Sequence, residues 1–155
     1  MALLNIRIEG DDILRKHCRE VDEITPRVIQ LLDDMRQTLI HANGAGLAAP
    51  QVGVLKRIVV VIDDGEIVEL INPEIIEKSG EQTGLEGCLS CPGKAGEVTR
   101  PMHVTVKAQD RYGKTFIRKG DGFVARAYCH ELDHLDGILY IDIANEMVDP
   151  EDIEG

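Results

Sequence analysis

The chain has 155 residues, of which 43% are hydrophobic and 29% are charged, and this is enough for one globular domain with a full core. Its formal charge of −11 and its pI of about 4.8 argue against a nucleic-acid or anionic-membrane surface, because those partners require a basic footprint. We therefore expect a single domain over residues 1–155 that acts on small or peptide substrates, with no nucleic-acid site and no membrane partner.

The start of the chain and the cysteines indicate where the protein works. Residues 1–12 have neither the basic lead nor the apolar run of a signal peptide, and no later stretch approaches the roughly 18 apolar residues of a transmembrane helix. We therefore expect a cytoplasmic protein. In that reducing compartment cysteines are expected to be thiols or metal ligands rather than disulfides. The four are Cys18, Cys88, Cys91 and Cys129.

The first clear element is a helix that begins after Thr25. Thr25 has the character of an N-cap, Pro26 suits the first helical position, and apolar residues recur at helical spacing from position 28 to position 42. An Asn-Gly pair at 43–44 ends the pattern. Residues 12–19, before this helix, show too little periodicity for an assignment and are expected to form an ordered arm.

Small residues follow the helix at positions 44–51, Gly-Ala-Gly-Leu-Ala-Ala-Pro-Gln. Glycines let a backbone approach a ligand closely and offer bare N–H and C=O groups to an extended peptide. A lone Gly-x-Gly is weak evidence, and the alternative is a tight turn without a function. Gln51 becomes a candidate only if a nearby group needs a hydrogen-bond partner.

Strand patterns dominate the middle of the chain. An apolar run at 57–63, an Asp-Gly turn and an alternating segment at 66–72 predict a hairpin, and Pro73 is expected to begin a third segment over 75–79. Residues 104–108 and 115–118 alternate as an antiparallel pair would. Several hairpins with few helices favour an α+β fold over a parallel sheet. From about residue 146 the chain carries five acids and no base, which predicts a frayed, solvated tail.

Residues 84–93 are rich in turn formers and are expected to form a loop that carries two thiols, Cys88 and Cys91. This Cys-x-x-Cys could be a redox pair, or both thiols could join two histidines in a closed Cys₂His₂ structural zinc site. The gap of roughly 40 residues before the histidines is unlike zinc-finger spacing. Pro92 and Gly93 favour a loop over the helix start that a thioredoxin-like motif requires.

Residues 125–137 read as a helix that contains His-Glu-x-x-His. His130 and His134 are four residues apart and lie on one helix face, where both imidazoles can reach a single cation. Glu131 lies roughly 100° around the helix and flanks that cation. An ion with three protein ligands keeps a position for water, whose proton a neighbouring carboxylate can take. The pattern indicates hydrolysis at neutral pH. The alternative is an amphipathic helix whose histidines are merely packed or solvated.

Taken together, three ordered segments resemble the motifs of peptide deformylases. They are residues 44–51, Glu-Gly-Cys-Leu-Ser at 86–90 and His-Glu-Leu-Asp-His at 130–134, and the similarity extends from position 13 through Ile-Asn-Pro at 71–73 and residues 96–101 to position 137. The resemblance implies an α+β domain in which antiparallel sheets pack around a central helix that carries His-Glu-x-x-His, with a second helix near the N-terminus. It also implies removal of the formyl group from N-formylmethionyl nascent peptides, with release of formate.

The resemblance further implies a set of site residues. The implied ligands of one divalent metal ion, typically Fe²⁺ but with Zn²⁺, Ni²⁺ or Co²⁺ as alternatives, are Cys88, His130 and His134. Glu131 is the implied acid and base, and the implied oxyanion donors are the Gln51 side chain and the Leu89 backbone N–H. The residues implied to contact the peptide are Ala45, Gly46 and Gly87, together with Phe123 and Ala127 at the methionine pocket.

Three positions depart from the family pattern. Position 45 usually carries a larger aliphatic residue, position 91 an aliphatic residue and position 129 a glutamine. Extra thiols near Fe²⁺ invite oxidation or zinc capture. Two other functions are therefore weighed: a non-catalytic metal domain closed by Cys91, and a metalloprotease that cuts internal peptide bonds. The acidic C-terminus lacks the long helix of many bacterial members, which leaves only a transient ribosome contact as an expectation.

Overall fold

The computed structural model describes residues 2–148 and has an α+β fold. The helices are α1 Pro26–Ala42, α2 Phe123–Leu135 and α3 Tyr140–Ile143, with 3₁₀ turns at Asp12–Arg15 and Ala49–Val52. The strands are β1 Gly46–Ala48, β2 Ile58–Asp63, β3 Glu66–Ser79, β4 Gln82–Cys88, β5 Cys91–Arg100, β6 His103–Gln109, β7 Thr115–Asp121 and β8 Glu146–Val148. They form a five-stranded sheet in the order β1-β2-β3-β6-β7 and a three-stranded sheet in the order β4-β5-β8. The strands within each sheet are antiparallel, as predicted.

Helix α1 begins and ends where the sequence pattern predicts. The Thr25 hydroxyl accepts a hydrogen bond from the Val28 N–H at 3.3 Å, and Pro26 occupies the first turn. Asn43 adopts the left-handed conformation with φ of 56° and ends the helix, a role that asparagine tolerates better than most residues. The apolar face packs against β1 and β2 through Val28, Leu32, Met35 and Leu39.

Helix α2 is almost entirely buried and lies at the centre of the fold. Ten of its thirteen residues are buried, and its apolar side, which includes Ala125 and Leu132, packs on the five-stranded sheet. The buried Tyr128 hydroxyl donates a 2.8 Å hydrogen bond to Asp63 of β2, so a polar contact also joins the helix to that sheet. The predicted central helix with His-Glu-x-x-His therefore carries its histidines into the interior.

The expected third segment after Pro73 is part of the preceding strand. Strand β3 continues through Asn72, which has φ of 52°, and a shift in register occurs between Ile71 and Glu74. The Asn72 side chain stabilises this bulge, because it accepts from the Val21 N–H at 2.8 Å and donates to the Val21 carbonyl at 2.9 Å. A local bulge therefore accommodates the proline without ending the strand.

Residues 84–93, expected as a loop, belong to a hairpin. Strands β4 and β5 pair from Gln82 and Arg100 to Cys88 and Cys91, and a two-residue turn of Leu89 and Ser90 connects them. Glycines along both strands remove the alternation of side chains on which strand prediction depends, so the long-range pairing was not visible in the sequence.

Both ends of the described chain are more regular than the sequence pattern indicated. Residues 146–148, expected as part of a frayed tail, form β8 and pair with β5, where Met147 lies opposite Gly96. The rest of that expected tail, 149–155, lies outside the described residues. In the N-terminal arm, Asp11 caps the 3₁₀ turn by accepting from the Ile13 N–H, and Leu14 is buried.

Gly137 links the end of α2 to this arm and provides a test of the packing. It has φ of +76°, and an added Cβ would lie 2.5 Å from the Arg15 carbonyl oxygen, whereas Gly65 has φ of +80° with no atom within 4 Å of an added Cβ. We expect Gly65→Ala to lower the free energy of unfolding by about 1–2 kcal/mol through backbone strain. Gly137→Ala should lower it by a further ~1–3 kcal/mol through overpacking. Urea denaturation of both variants measures the difference in the free energy of unfolding. Equal losses for the two variants would show that Gly137 does not pack closely against the Arg15 carbonyl.

Candidate metal centre and active site

A cavity of about 320 Å³ lies between the edges of the two sheets. One wall contains Gly44, Ala45 and Gly46 at the start of β1, and the facing wall is the β4 segment from Leu85 to Leu89. Helix α2 forms the floor. Because β1 and β4 are each the outer strand of a sheet, the cavity is bordered by two strand edges with unpaired backbone groups.

Three of the expected site residues form a cluster, and two of them, Cys88 and His130, line the cavity. Among residues 2–148, Cys88, His130 and His134 form the one group of three such side chains whose ligand atoms all lie within 4.8 Å of one another. His134 Nε2 lies 3.4 Å from Cys88 Sγ and 3.3 Å from His130 Nε2. The cluster does not include Cys91.

The distances within the cluster fit a tetrahedral metal ion. A tetrahedral ion that binds nitrogen and sulfur at roughly 2.0–2.3 Å separates its ligand atoms by roughly 3.3–3.7 Å. Both measured separations fall close to that range. One thiolate with two imidazoles also suits Fe²⁺ or Zn²⁺ better than the oxygen-preferring Mg²⁺ or Ca²⁺. The donor set therefore fits a single transition-metal ion and leaves one tetrahedral position without a protein ligand.

The tautomer of His130 is fixed by Glu86, which sequence reasoning did not identify as functional. His130 Nδ1 lies 2.8 Å from Glu86 Oε1. Burial alone would raise the pKa of Glu86, but hydrogen bonds from Arg100 and His130 outweigh burial and hold the pKa well below its usual range. An ionised carboxylate only accepts hydrogen bonds, so Nδ1–H donates to it. The lone pair on Nε2 is thereby directed into the cluster.

Two buried arginines hold Glu86 in place. Arg100 binds both carboxylate oxygens, at 2.8 and 2.9 Å, and Arg126 of α2 donates to Oε2 at 2.7 Å. Arg100 also donates to Asp133 of α2 at 2.6 Å. The charge network therefore joins the three-stranded sheet to the helix that carries the histidines.

The second histidine has a different environment. Burial lowers the pKa of His134 well below its usual value, and the neighbouring His130 lowers it further. His134 is therefore neutral at physiological pH, as a metal ligand must be. For His130, burial also lowers the pKa, but the negative charges of Glu131 and Glu86 outweigh it and the net shift is upward.

Glu131 has the properties of a proton carrier. Its side chain is buried, and among residues 2–148 its Oε1 has no hydrogen-bond partner. Burial raises the pKa of Glu131 to about 7, although the charge of His130 opposes the shift. A carboxyl group with a pKa near the operating pH can both accept and return a proton.

Gly46 is in close contact with Glu131. A Cβ added at Gly46 would lie 2.7 Å from Glu131 Oε2 and 2.8 Å from Glu131 Cγ, which is closer than real side chains approach. A glycine is therefore required here for the carboxylate to occupy its position beside β1. A similar contact explains Gly44, where an added Cβ would lie 2.8 Å from Leu89 Cδ1.

The expected oxyanion donors lie beside the ligand cluster. Gln51 Oε1 accepts from the Ala48 N–H at 2.9 Å, and this contact orients its Nε2 towards Ser90 Oγ at 3.1 Å and Cys88 Sγ at 3.5 Å. Leu89 follows Cys88 directly in the hairpin turn and lines the cavity. Gln51 thus has structural partners that the sequence did not indicate, and its amide group is held next to the cluster.

The sheet register determines which backbone groups of the small-residue segment face the cavity. The Ala45 carbonyl accepts from the Ile62 N–H at 2.9 Å, so Ala45 and Ile62 form a hydrogen-bonded pair. The next pair, Gly46 and Val61, is then of the non-hydrogen-bonded type, and the N–H and C=O of Gly46 point away from β2. The structure therefore favours Gly46 over Ala45 as a peptide-binding backbone, although both line the cavity.

The remaining expected residues also border the cavity. Gly87 lies on the β4 wall, and Phe123 and Ala127 lie on α2. Phe123 is 67% exposed, and Leu85, which sequence reasoning missed, is 46% exposed on the opposite rim. Two large apolar side chains beside an open cavity are suited to an apolar substrate side chain.

Comparisons with known proteins agree with this architecture. The polypeptide deformylase family matches residues 3–149. A peptide deformylase of Lachnoclostridium phytofermentans is 59% identical over 148 residues, which cover 94% of this chain and 91% of that protein. The crystal structure of the Thermotoga maritima peptide deformylase is similar with a TM-score of 0.91 at 36% identity, covering 94% of this chain and 99% of that one. A Synechococcus elongatus peptide deformylase in complex with actinonin has a TM-score of 0.89 at 38% identity, covering 92% of this chain and 79% of that one.

The chain therefore belongs to the peptide deformylase family. Its members are metallohydrolases that remove the N-formyl group from newly synthesised polypeptides, and this confirms the family expected from the three sequence motifs. Within the part of the chain that the structure describes, no helix is long and apolar enough to cross a membrane.

The contact between Gly46 and Glu131 gives a testable prediction. Gly46→Ala should displace the Glu131 carboxylate while it leaves the ligand cluster intact, because the three atoms nearest to the added Cβ all belong to the Glu131 side chain. A displacement of about 1 Å can cost ~10²-fold in rate. We expect deformylation to fall at least about tenfold at unchanged metal content, on the same principle.

A double variant identifies the cause of that loss. In a Glu131→Gln background the same Gly46→Ala change should lower the residual rate less than about twofold, because residues that act as a unit are not additive. Formate release at matched metal occupancy is the measurement. A full additional loss in the double variant would show that Gly46 acts by another route.

Proposed function

We propose that Cys88, His130 and His134 hold one divalent ion, with Fe²⁺ as the physiological metal, and that the adjoining cavity binds N-formylmethionyl peptides. The observation that carries this proposal is the cluster of one thiol and two imidazoles with a buried carboxylate beside it, whose Oε1 has no hydrogen-bond partner among residues 2–148. When bound, such an ion acidifies water and polarises a carbonyl oxygen. The other steps are assigned to the side chains and backbone of this chain.

Glu131 is proposed to move the proton. Its pKa of about 7 lets it accept a proton from the attacking water at neutral pH. It then gives that proton to the amide nitrogen as the C–N bond breaks. The products are formate and a peptide with a free N-terminal amine. Burial of Glu131 keeps bulk water from competing for the proton.

Gln51 and Leu89 are proposed to stabilise the oxyanion. Negative charge grows on the formyl oxygen as water adds to the carbon, and fixed N–H donors aimed at that oxygen lower the barrier. The Gln51 amide is held in position by its hydrogen bond from Ala48, and one Nε2–H would turn from Cys88 Sγ to the formyl oxygen during the reaction. The Leu89 N–H directly follows Cys88 in the tight turn of the hairpin, and Leu89 lines the same cavity, which supports this role.

The two strand edges are proposed to bind the peptide backbone. The outward N–H and C=O of Gly46 on one side, and the β4 segment at Gly87 on the other, offer the groups that an added strand requires. The methionine side chain would then lie against Phe123 and Ala127, with Leu85 on the opposite rim. The backbone of a formylated chain end could therefore pair with the two strand edges, and its first side chain could bind in the apolar part of the cavity.

The two competing functions receive less support. A closed structural zinc site requires a fourth ligand, and Cys91 is not part of the ligand cluster. A metalloprotease must admit an extended chain on both sides of the cut bond, whereas here the Leu89 turn and Gln51 crowd the cluster. A formyl group has no chain beyond its carbon and fits that restricted space. Since nascent chains are made in the cytoplasm, we place the protein there, with at most a transient ribosome contact.

Glu131→Gln tests the proposed mechanism. The substitution keeps the size of the side chain and removes its basicity, so metal content and thermal unfolding should change little. General acid and base groups contribute ~10²–10⁴-fold, and a residue that serves both steps belongs at the upper end. Formate release from formyl-Met-Ala-Ser by anaerobically prepared protein is the assay, with metal content matched to the parent.

Two control peptides separate the functions. Unformylated Met-Ala-Ser should yield no cleavage product, whereas a metalloprotease would cut it. N-acetyl-Met-Ala-Ser should react far more slowly than the formyl peptide, because the acetyl methyl group meets the crowded turn. If Glu131→Gln releases formate within about tenfold of the parent, which is less than a general acid and base contributes, the proton-transfer role is excluded.

A further inference from the structure

Cys88 and Cys91 occupy directly opposed positions at the end of the β4–β5 hairpin. They are register partners, separated only by the turn of Leu89 and Ser90. Opposed residues of an antiparallel pair have Cα atoms about 4.5–5.5 Å apart and side chains on the same face. That separation lies within the ~4.4–6.8 Å range over which a disulfide can form without backbone movement.

The two side chains share one environment. Cys91 is 1% exposed and packs with Leu14, Val98 and Tyr140, and Cys88 packs against the same apolar cluster. All four cysteines of the chain are free thiols in this structure.

Access differs between the two sulfur atoms. Cys88 lines the open cavity, so a small oxidant in the cavity can reach it. Cys91 does not line the cavity and is almost fully buried. Redox-sensing sites commonly pair an accessible thiol with a resolving thiol beside it, and this hairpin has that arrangement.

We propose that Cys91 is a resolving thiol, which forms a reversible disulfide with Cys88 under peroxide, releases the metal ion and protects Cys88 from irreversible oxidation. The inference goes beyond the proposed deformylation, because that reaction does not use Cys91. It rests on the proposed ligand role of Cys88 only for metal release.

The chemistry balances with hydrogen peroxide as the oxidant. The Cys88 thiolate attacks one peroxide oxygen, an S–O bond forms, the O–O bond breaks and hydroxide leaves, which takes up a proton to become water. The Cys91 thiolate then attacks the Cys88 sulfur, an S–S bond forms, the S–O bond breaks and a second water leaves. Two thiols are oxidised by two electrons and one peroxide is reduced to two waters. A dithiol reductant reverses the reaction by thiol–disulfide exchange.

The consequence for the metal centre follows from the ligand chemistry. Only a thiolate is a strong metal ligand, and a disulfide sulfur is not. Oxidation would therefore leave His130 and His134 as the remaining ligands, and two ligands hold an ion far less firmly than three. Without a resolving thiol, the Cys88 sulfenic acid would continue to the irreversible sulfinic and sulfonic acids.

The first experiment tests the disulfide in the metal-free chain. Trypsin cleaves after Lys78 and Lys94, so both cysteines lie in one peptide, 79–94. After treatment with an excess of hydrogen peroxide, this peptide should be about 2 Da lighter in the parent and regain that mass with dithiothreitol. In Cys91→Val, whose side chain is of similar size and aliphatic, it should instead gain about 32 or 48 Da, which dithiothreitol does not remove.

The second experiment follows the metal in Ni²⁺-loaded protein. Release of Ni²⁺ to a chromogenic chelator should parallel formation of the lighter peptide in the parent, and reduction should restore metal binding. In Cys91→Val, the fraction of metal binding restored by reduction should be at least about fivefold smaller, because over-oxidised Cys88 is not recovered. Cys129→Ala is the matched control, since Cys129 is another buried thiol next to a ligand but lies on α2, and it should behave as the parent does.

Two results would overturn the inference. One is a parent protein in which peptide 79–94 gains oxygen and never becomes lighter. The other is a Cys91→Val variant that recovers as fully as the parent. If the disulfide forms in the metal-free chain but the loaded protein keeps its metal when oxidised, the resolving role stands and the ligand role of Cys88 fails. The two proposals are thereby distinguished.

Discussion

The Glu86 carboxylate is a buried negative charge that contacts two arginines and a histidine at once, and the candidate site depends on it. Glu86 itself belongs to β4. Its carboxylate binds Arg100 of β5 and both Arg126 and His130 of α2, so it connects the three elements. Breaking a buried ion pair by removing one partner costs about 3–5 kcal/mol, because a charge is left unpaired. The network therefore strongly favours a single arrangement of sheet and helix, and that arrangement brings Cys88 of the hairpin to His130 and His134.

Close backbone approach is the second constraint on the site. Glycines at 44 and 46 let Leu89 and Glu131 occupy space that a Cβ would fill, so the hairpin turn, the first strand and the helix meet around one small volume. The same closeness buries Glu131, leaves its Oε1 without a hydrogen-bond partner in the described part of the chain, and through that burial raises its pKa to about 7. The proximity that shapes the cavity thus also sets the proton affinity of its carboxylate.

Elements defined by local signals could be predicted from the sequence, and those defined by long-range pairing could not. Thr25, Pro26 and the spacing of apolar residues mark α1 because caps and periodicity act within a few residues. The β4–β5 hairpin was expected as a loop because its glycines give no alternation, and β8 was expected as a tail because its acidic residues give no sign of their partner. The three family motifs indicated the ligand cluster. Glu86 belongs to one of those motifs, yet its contacts with positions 100, 126 and 130 could not be predicted, because they form only when distant parts of the chain fold together. The same holds for the strand register that turns the backbone of Gly46 towards the cavity.

We propose that the Glu86 charge prearranges the candidate ligand cluster through its contact with His130. The most direct measurement is the affinity of Glu86→Gln for Ni²⁺ or Zn²⁺ in competition with a chelator, with folding monitored by circular dichroism. Loss of such a partner to a ligand histidine typically costs about 10–100-fold in metal affinity, and we expect a loss of that size in a chain that still folds. Asp133→Asn is the control, because Asp133 binds Arg100 and makes no hydrogen bond to His130, and the metal affinity of this variant should match that of the parent. An affinity of folded Glu86→Gln within about twofold of the parent, well below that expected loss, would show that Glu86 does not prearrange the cluster.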